Sequence, residues 1–300
     1  MLIVLAPAKV NLGLAVHRRR PDGYHDLSTL FLKISLVDAV RLTAQPRDIV
    51  VHCEHLDVPS DARNLVHRAA AALQPYAAPG QGVHLALQKT IPVAAGLGGG
   101  SSDAAATLLG LNTLWQLGLS VAELAPYAAR LGADVPLFLA PTVAAVGYGR
   151  GDELEPVACP RTFYLVLVKP PIAVSTAWVY QQLRFELTAS PKDTNILKQC
   201  LESGDIEGLG AACFNDLEAV VLRHFPVVQD VKRALAQPGV YGVCSRAADQ
   251  RCMLSAHRGT WRTRSLLWYG REGGVYGCAV PGRTSLQNSP SLSSQRWAPW

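Results

Sequence analysis

Lysine is missing from two long stretches of this 300-residue chain, between Lys89 and Lys169 and again throughout 244–300. The first gap excludes the commonest phosphate loop, which closes a G-x-x-x-x-G string with a lysine and a serine or threonine. Charged residues make up only 17% of the chain, too few for the highly charged disordered class. No apolar run reaches the roughly eighteen residues that span a membrane. No basic residue precedes the apolar start MLIVLAP, which therefore reads as a strand and not as a signal peptide. The seven cysteines include no C-x-x-C pair. An odd number at irregular spacing points to reduced thiols in a cytoplasmic protein, with no zinc site.

The net charge of +5 is unevenly spread. Residues 244–300 carry eight arginines against only Asp249 and Glu272, together with four of the six tryptophans. The basic character belongs to this tail. It shows no aromatic-basic periodicity, so no nucleic-acid partner is expected.

What the chain does have is a dense run of glycine. Gly96, Gly98, Gly99 and Gly100 precede Ser101, Ser102 and Asp103, and an Ala/Leu-rich segment follows. Ala104, Leu108, Leu111 and Trp115 recur at helical spacing on one face. Glycines let backbone N–H groups turn inward and a ligand approach closely. A helix starting directly afterwards adds its unpaired N–H groups and the positive end of its dipole. This is a cradle for a polyphosphate. The competing reading, a flexible Gly/Ser linker, fits poorly with an immediate amphipathic helix. The glycines are also contiguous, unlike the G-x-G-x-x-G dinucleotide fingerprint.

In chain order, alternation predicts a strand over Leu2–Ala6 that continues to Leu12 and faces Lys9 and Asn11 the same way. Such a lysine can equally snorkel to water. Pro21-Asp22-Gly23 is turn chemistry, placing Tyr24 and His25 just past a tight turn beside the charge run Arg18–Arg20. Strands are expected at 30–40, 49–53, 83–88, 144–148 and 163–168. Helices are expected at 64–73, after the glycine loop, after the capping box Ser120–Glu123, and at 176–183, 195–199, 213–222 and 227–235. Pro126 should bend the helix that Gly132 ends. Asp134 sits where a helix N-cap would, a role worth about 1 kcal/mol. Residues 149–153 read as a turn opening onto a second domain. The pattern is α+β in two domains, 1–155 and 156–243, followed by an anomalous Arg/Trp/Ser-rich tail at 244–300.

Three blocks in order, PAKVNLGL (7–14), PVAAGLGGGSSDAAATLLGLN (92–112) and LGADVPLFL (131–139), closely resemble the GHMP kinases, which phosphorylate small metabolites. RPDGYHDL (20–27), paired with LGADVP, is similar to the branch whose acceptor is a polyol carrying a diphosphocytidyl group. The resemblance spans about residues 5–243. It implies an N-terminal ATP-binding domain and a ferredoxin-like C-terminal domain. It implies that Asp134 takes the proton of the acceptor hydroxyl while Lys9 favours the carboxylate anion and neutralises the transferring phosphoryl group. Pro92, Ala94, Ala95, Gly96, Leu97, Gly98, Gly99, Gly100, Ser101 and Ser102 would hold ATP. Tyr24 and His25 would grip cytosine, Asn11 would lie beside the acceptor, and Thr176 and Tyr180 would add contacts. Mg²⁺ is expected with ATP, without a recognisable ligand set of its own. Homoserine and mevalonate kinases are the alternatives within the family, disfavoured by Tyr24-His25. From another class, the alternative is a binding protein that has lost turnover.

The family also implies a third motif, near Leu-Ser-Gly-Ser-Gly-Ser, after Gly239–Val243. This chain reads Cys-Ser-Arg-Ala-Ala-Asp-Gln over Cys244–Gln250 instead. Those residues can be encoded TGC TCT CGG GCA GCG GAT CAG, which read two nucleotides later gives Leu-Ser-Gly-Ser-Gly-Ser. A shifted reading frame is therefore expected over 244–300, leaving the second domain without its last strand and helix.

Overall fold

A computed structural model describes residues 1–170, 172, 174–183, 193–246, 250–255 and 274–280. Two compact units interleave along the chain. One comprises Met1–Ala8 and Leu36–Pro141, the other Lys9–Ser35 and the described part of Thr142–Asn288. The sequence suggested a linear division at residue 155. The units differ from it because two strands, β1 (Leu2–Arg19) and β2 (His25–Pro46), are long enough to belong to both.

In the first unit, the end of β2 pairs antiparallel with β4 (Gln81–Gln88), and β4 pairs parallel with β3 (Ile49–Cys53). The parallel pair needs a crossover, supplied by α1 (Leu65–Leu73), whose N-cap Asn64 accepts from the N–H of Val66 at 2.9 Å. Next come α2 (Gly99–Leu114), α3 (Val121–Leu131) and α4 (Val135–Leu139). The Ser120/Glu123 capping box forms, and α3 continues through Pro126 to its stop at Gly132. Ala104, Leu108, Leu111 and Trp115 are buried in one core with Leu42, Leu85 and Phe138. Yet α2 is not the amphipathic helix its spacing suggested. Ser102 to Leu108 are buried without a break, the mark of a helix enclosed on all sides.

In the second unit, β1 pairs parallel with β8 (Phe214–Asn215), and β2 pairs antiparallel with β5 (Ala144–Tyr148). β5 returns through a tight turn into β6 (Glu153–Val157). The turn at 149–153 is thus a hairpin inside this unit and not an opening between domains. The expected helix at 213–222 is also corrected. Phe214 and Asn215 are strand, and the helix, α8 (Glu218–His224), starts later. Polar capture decides this: Asn215 Oδ1 accepts from the Leu217 N–H at 3.0 Å, and Asp216 Oδ2 from the Val16 N–H at 2.9 Å. Among the described residues this unit also has α5 (Thr176–Gln181), α6 (Thr194–Ser203), α7 (Ile206–Ala212) and α9 (Pro226–Leu235). α7 was not anticipated.

The second sheet is antiparallel, ordered β11-β7-β10-β9, with β7 at Phe163–Lys169, β9 at Val240–Arg246, β10 at Gln250–Ser255 and β11 at Gly274–Val280. This is the sheet a ferredoxin-like half requires. Two tail segments therefore pair with β7, where the sequence reading expected a missing strand. A ladder is made by backbone groups, so pairing does not depend on a particular side-chain motif. The final helix expected of the family would fall among residues outside the described ones.

α7 packs against β9 at two facing glycines. A Cβ on Gly210 would stand 2.5 Å from the Tyr241 carbonyl carbon, and one on Gly242 would strike the Gly210 carbonyl oxygen. Backbone meets backbone here, so neither side can yield. Gly210→Ala should therefore destabilise the protein by about 3 kcal/mol, read as a lower denaturation midpoint with unchanged slope. Wild-type stability in that variant would show that the two elements separate freely.

Candidate active site

The chain from β4 to α2 forms a cradle in the first unit. Ala95 and Leu97 are buried, while Ala94 and Gly96, each preceding one of them, are exposed. This alternation pins the loop to the core and turns its other side outward. Three positions are left-handed: Ala94 (φ 56°), Gly96 (φ 66°) and Gly98 (φ 71°). Gly98 is the N-cap of α2 and supplies no side-chain cap, so no N-cap side chain occupies the first-turn N–H groups. The Ser102 hydroxyl is buried and has no hydrogen-bond partner. A buried orphan of this kind fits a site built for a polar ligand.

Behind the cradle, Lys89 lies between two carboxylates. Its Nζ donates to Asp38 Oδ2 at 2.5 Å and to Asp103 Oδ2 at 2.6 Å. Asp38 Oδ1 also accepts from the N–H groups of Thr90 (2.5 Å) and Ile91 (2.8 Å). All three side chains are buried. Burial pushes the Asp103 carboxyl up to about 7, with Asp38 adding to the shift and Lys89 opposing it. Burial also works against the Lys89 ammonium, but Asp103 and Asp38 hold it above the ordinary lysine value. Two carboxylates share a single cation here, and Asp103 has one donor where Asp38 has three.

Asp134 occupies the N-cap position of α4, but its side chain makes no capping bond. The capping role is not what this carboxylate does.

The second unit holds the remaining residues. Lys9 is buried on β1, its Nζ 3.2 Å from Asn11 Oδ1 and 4.9 Å from the centre of the Phe31 ring. Asn11 Nδ2 donates to Thr29 Oγ1 at 2.7 Å, and Thr29 donates to the Gly13 carbonyl at 2.6 Å. Lys9 and Asn11 thus share a strand face, as alternation required, and a chain of hydrogen bonds orients them.

Tyr24 is exposed beyond a turn closed by the Arg20 N–H to the Tyr24 carbonyl (2.8 Å), with Gly23 at φ 86°. His25 opens β2 and stacks on Tyr180, with centroids 5.0 Å apart and planes 21° apart. Burial, then Arg19, lowers the His25 pKa, which favours the neutral ring. Thr176 begins α5. The arginine run is not merely solvated, because Arg18 and Arg20 pair with Asp26 at 2.6 and 2.8 Å.

Sequence reasoning missed Asp38 and the roles of Lys89 and Asp103. The available signal was a lysine and an aspartate bracketing the glycine run, which spacing alone does not link. Lys89→Met would leave two buried carboxylates without their cation. It should cost about 3–5 kcal/mol of stability, while Asp103→Asn, which keeps an acceptor for Lys89, should cost less. Denaturant titration of both variants checks this, and equal losses would mean that charge is not what the cluster contributes.

Residues 64–141 match the profile described as GHMP kinases N terminal domain. The chain is 43% identical over 248 residues to the 4-diphosphocytidyl-2-C-methyl-D-erythritol kinase of Synechococcus sp. (strain JA-3-3Ab), covering 80% of each chain. A crystal structure of 4-(cytidine 5'-diphospho)-2C-methyl-D-erythritol kinase superposes with a TM-score of 0.76 at 36% identity, covering 94% of this chain and 100% of that one. A homoserine kinase from Cytophaga hutchinsonii superposes at 0.71 with 21% identity, covering 92% and 93%, a likeness of fold alone. With its glycine cradle, buried β1 lysine and Tyr-His turn, this chain belongs to the 4-diphosphocytidyl-2-C-methyl-D-erythritol kinase family of the GHMP kinases.

Proposed function

We propose that the chain transfers the γ-phosphoryl group of ATP to the 2-hydroxyl of 4-diphosphocytidyl-2-C-methyl-D-erythritol in the cytoplasm, a step of non-mevalonate isoprenoid precursor synthesis. The observation that carries this reading is the 43% identity with the Synechococcus kinase across 80% of both chains. The site supplies matching chemistry. The uncapped start of α2 and the orphaned Ser102 hydroxyl receive the phosphates. The acceptor oxygen bonds to the γ-phosphorus, the bond from that phosphorus to the β–γ bridging oxygen breaks, and ADP leaves. Asp134 accepts the hydroxyl proton, and Lys9, oriented by Asn11, offsets charge on the transferring group. Tyr24 and His25 receive the cytosine. Mg²⁺ enters with ATP, where it would screen phosphate charge, and the Ser102 hydroxyl fits its preference for oxygen donors.

ADP release measured with and without the diphosphocytidyl acceptor tests the assignment, and turnover indifferent to that acceptor would overturn it. Asp134→Asn should lower kcat by about 10²-fold or more with ATP affinity nearly kept. Near-full turnover would remove Asp134 from proton transfer.

A second reading concerns activity level. The family's third glycine motif is absent at Cys244–Gln250, where β9 ends at Arg246. We propose that residues 244–300 come from a shifted frame and that turnover is impaired. A frame-restored chain should be the faster and more stable kinase. Equal kcat in the two chains would show the motif to be dispensable, and resequencing to different codons at 244–250 would sink the frameshift.

A further inference from the structure

Tyr24 is 58% exposed and follows a four-residue turn, an unpromising place to keep a ring still. Its main chain is held on both sides: the Tyr24 N–H donates to Asp22 Oδ1 at 3.1 Å, and its carbonyl accepts from Arg20. The ring is held by another hairpin. The Arg150 guanidinium carbon lies 5.4 Å from the Tyr24 ring centroid, within the distance at which a cation is drawn to an aromatic face.

Arg150 is itself fixed. Asp152 Oδ2 accepts from its Nη2 at 2.7 Å and its Nε at 3.2 Å, and Asp152 Oδ1 accepts from its backbone N–H at 3.3 Å. Two donors on one carboxylate oxygen set the guanidinium plane. The turn beneath closes through the Gly151 N–H to the Tyr148 carbonyl at 2.8 Å, with Gly149 and Gly151 at φ 63° and 91°. The Leu27 N–H to Gly149 carbonyl bond, also 2.8 Å, ties the Tyr24 hairpin to this one.

We propose that Arg150 is a positioning and specificity residue for the acceptor, backing one face of Tyr24 so that the opposite face presents a fixed platform to the pyrimidine ring. This rests on the reading of Tyr24 as the cytosine contact. Asp152 acts through Arg150, and Arg150 acts through Tyr24. The platform selects a flat, π-faced acceptor over a plain polyol, because base–aromatic stacking needs a ring held parallel to the base.

The test measures kcat and KM for ATP and for the diphosphocytidyl acceptor in Arg150→Ala, Arg150→Lys, Tyr24→Ala and the Tyr24→Ala/Arg150→Ala double variant. Tyr24→Ala should raise acceptor KM roughly five- to 150-fold. Arg150→Ala should raise it about two- to five-fold, leaving kcat and the KM for ATP at wild-type values. Arg150→Lys should lie between, keeping the charge but losing the planar fork on Asp152. In the Tyr24→Ala background, Arg150→Ala should add nothing. Wild-type acceptor KM in Arg150→Ala, with Tyr24→Ala impaired, would overturn this proposal alone. A full Arg150 effect persisting without Tyr24 would overturn it too, since Arg150 would then touch the acceptor directly. An unaffected acceptor KM in Tyr24→Ala would remove the cytosine contact and the proposal together.

Discussion

A glycine-rich segment has no shape of its own, and here its shape depends on a buried ion pair at its two ends. The Lys89 to Asp103 bond joins positions fourteen apart, and everything between them is loop and first helical turn. Taking ions out of water costs several kcal/mol each. The cost is offset only because Asp38 gathers two backbone N–H groups as well as the ammonium. Closing the segment removes the freedom its glycines would otherwise have, and Ala94 is held in a left-handed conformation that an alanine rarely adopts alone. Gly99 has its place in the same constraint, since a Cβ there would stand 3.1 Å from Ile91 and 3.4 Å from the Lys89 Nζ. The cradle is stiff because a charge network behind it is stiff.

The second unit buries lysines as well. Lys9 is buried on β1. Its contacts include an amide oxygen and the face of Phe31. An amide oxygen and an aromatic face both stabilise a buried ammonium. Lys33, also buried on β2, shows what burial does to a lysine, since its pKa falls to about 8. The polar chain Lys9–Asn11–Thr29–Gly13 therefore serves as an orienting device as well as a set of satisfied bonds.

The tail illustrates how little a sheet asks of a sequence. β7 buries Phe163, Leu165 and Leu167 and offers ladder groups on both edges. Segments 250–255 and 274–280 take those edges, while residues 244–250 read Cys-Ser-Arg-Ala-Ala-Asp-Gln. A nucleotide site needs particular backbone turns and small residues at particular places. Strand pairing does not supply them.

Much of the chemistry was legible in the residues alone. Contiguous glycines before an Ala/Leu segment, alternation around Lys9 and Asn11, the Ser120/Glu123 box and the Pro-Asp-Gly turn are local signals. Local sterics and hydrogen bonding act over a few residues, so the sequence by itself determined those features. It left open whether Asp134 is a cap, read 149–153 as opening onto a second domain, and read α2 as amphipathic. The tertiary structure decided these, along with the Asp38–Lys89–Asp103 cluster, the short strand at Phe214 and the Arg150–Tyr24 contact. Asp38 lies 51 residues from Lys89, and Val16 lies 200 from the Asp216 carboxylate that accepts its N–H. No periodicity carries information over such separations. Burial and charge pairing are set by whichever surfaces the fold brings together, and only the assembled chain fixes which carboxylate meets which cation.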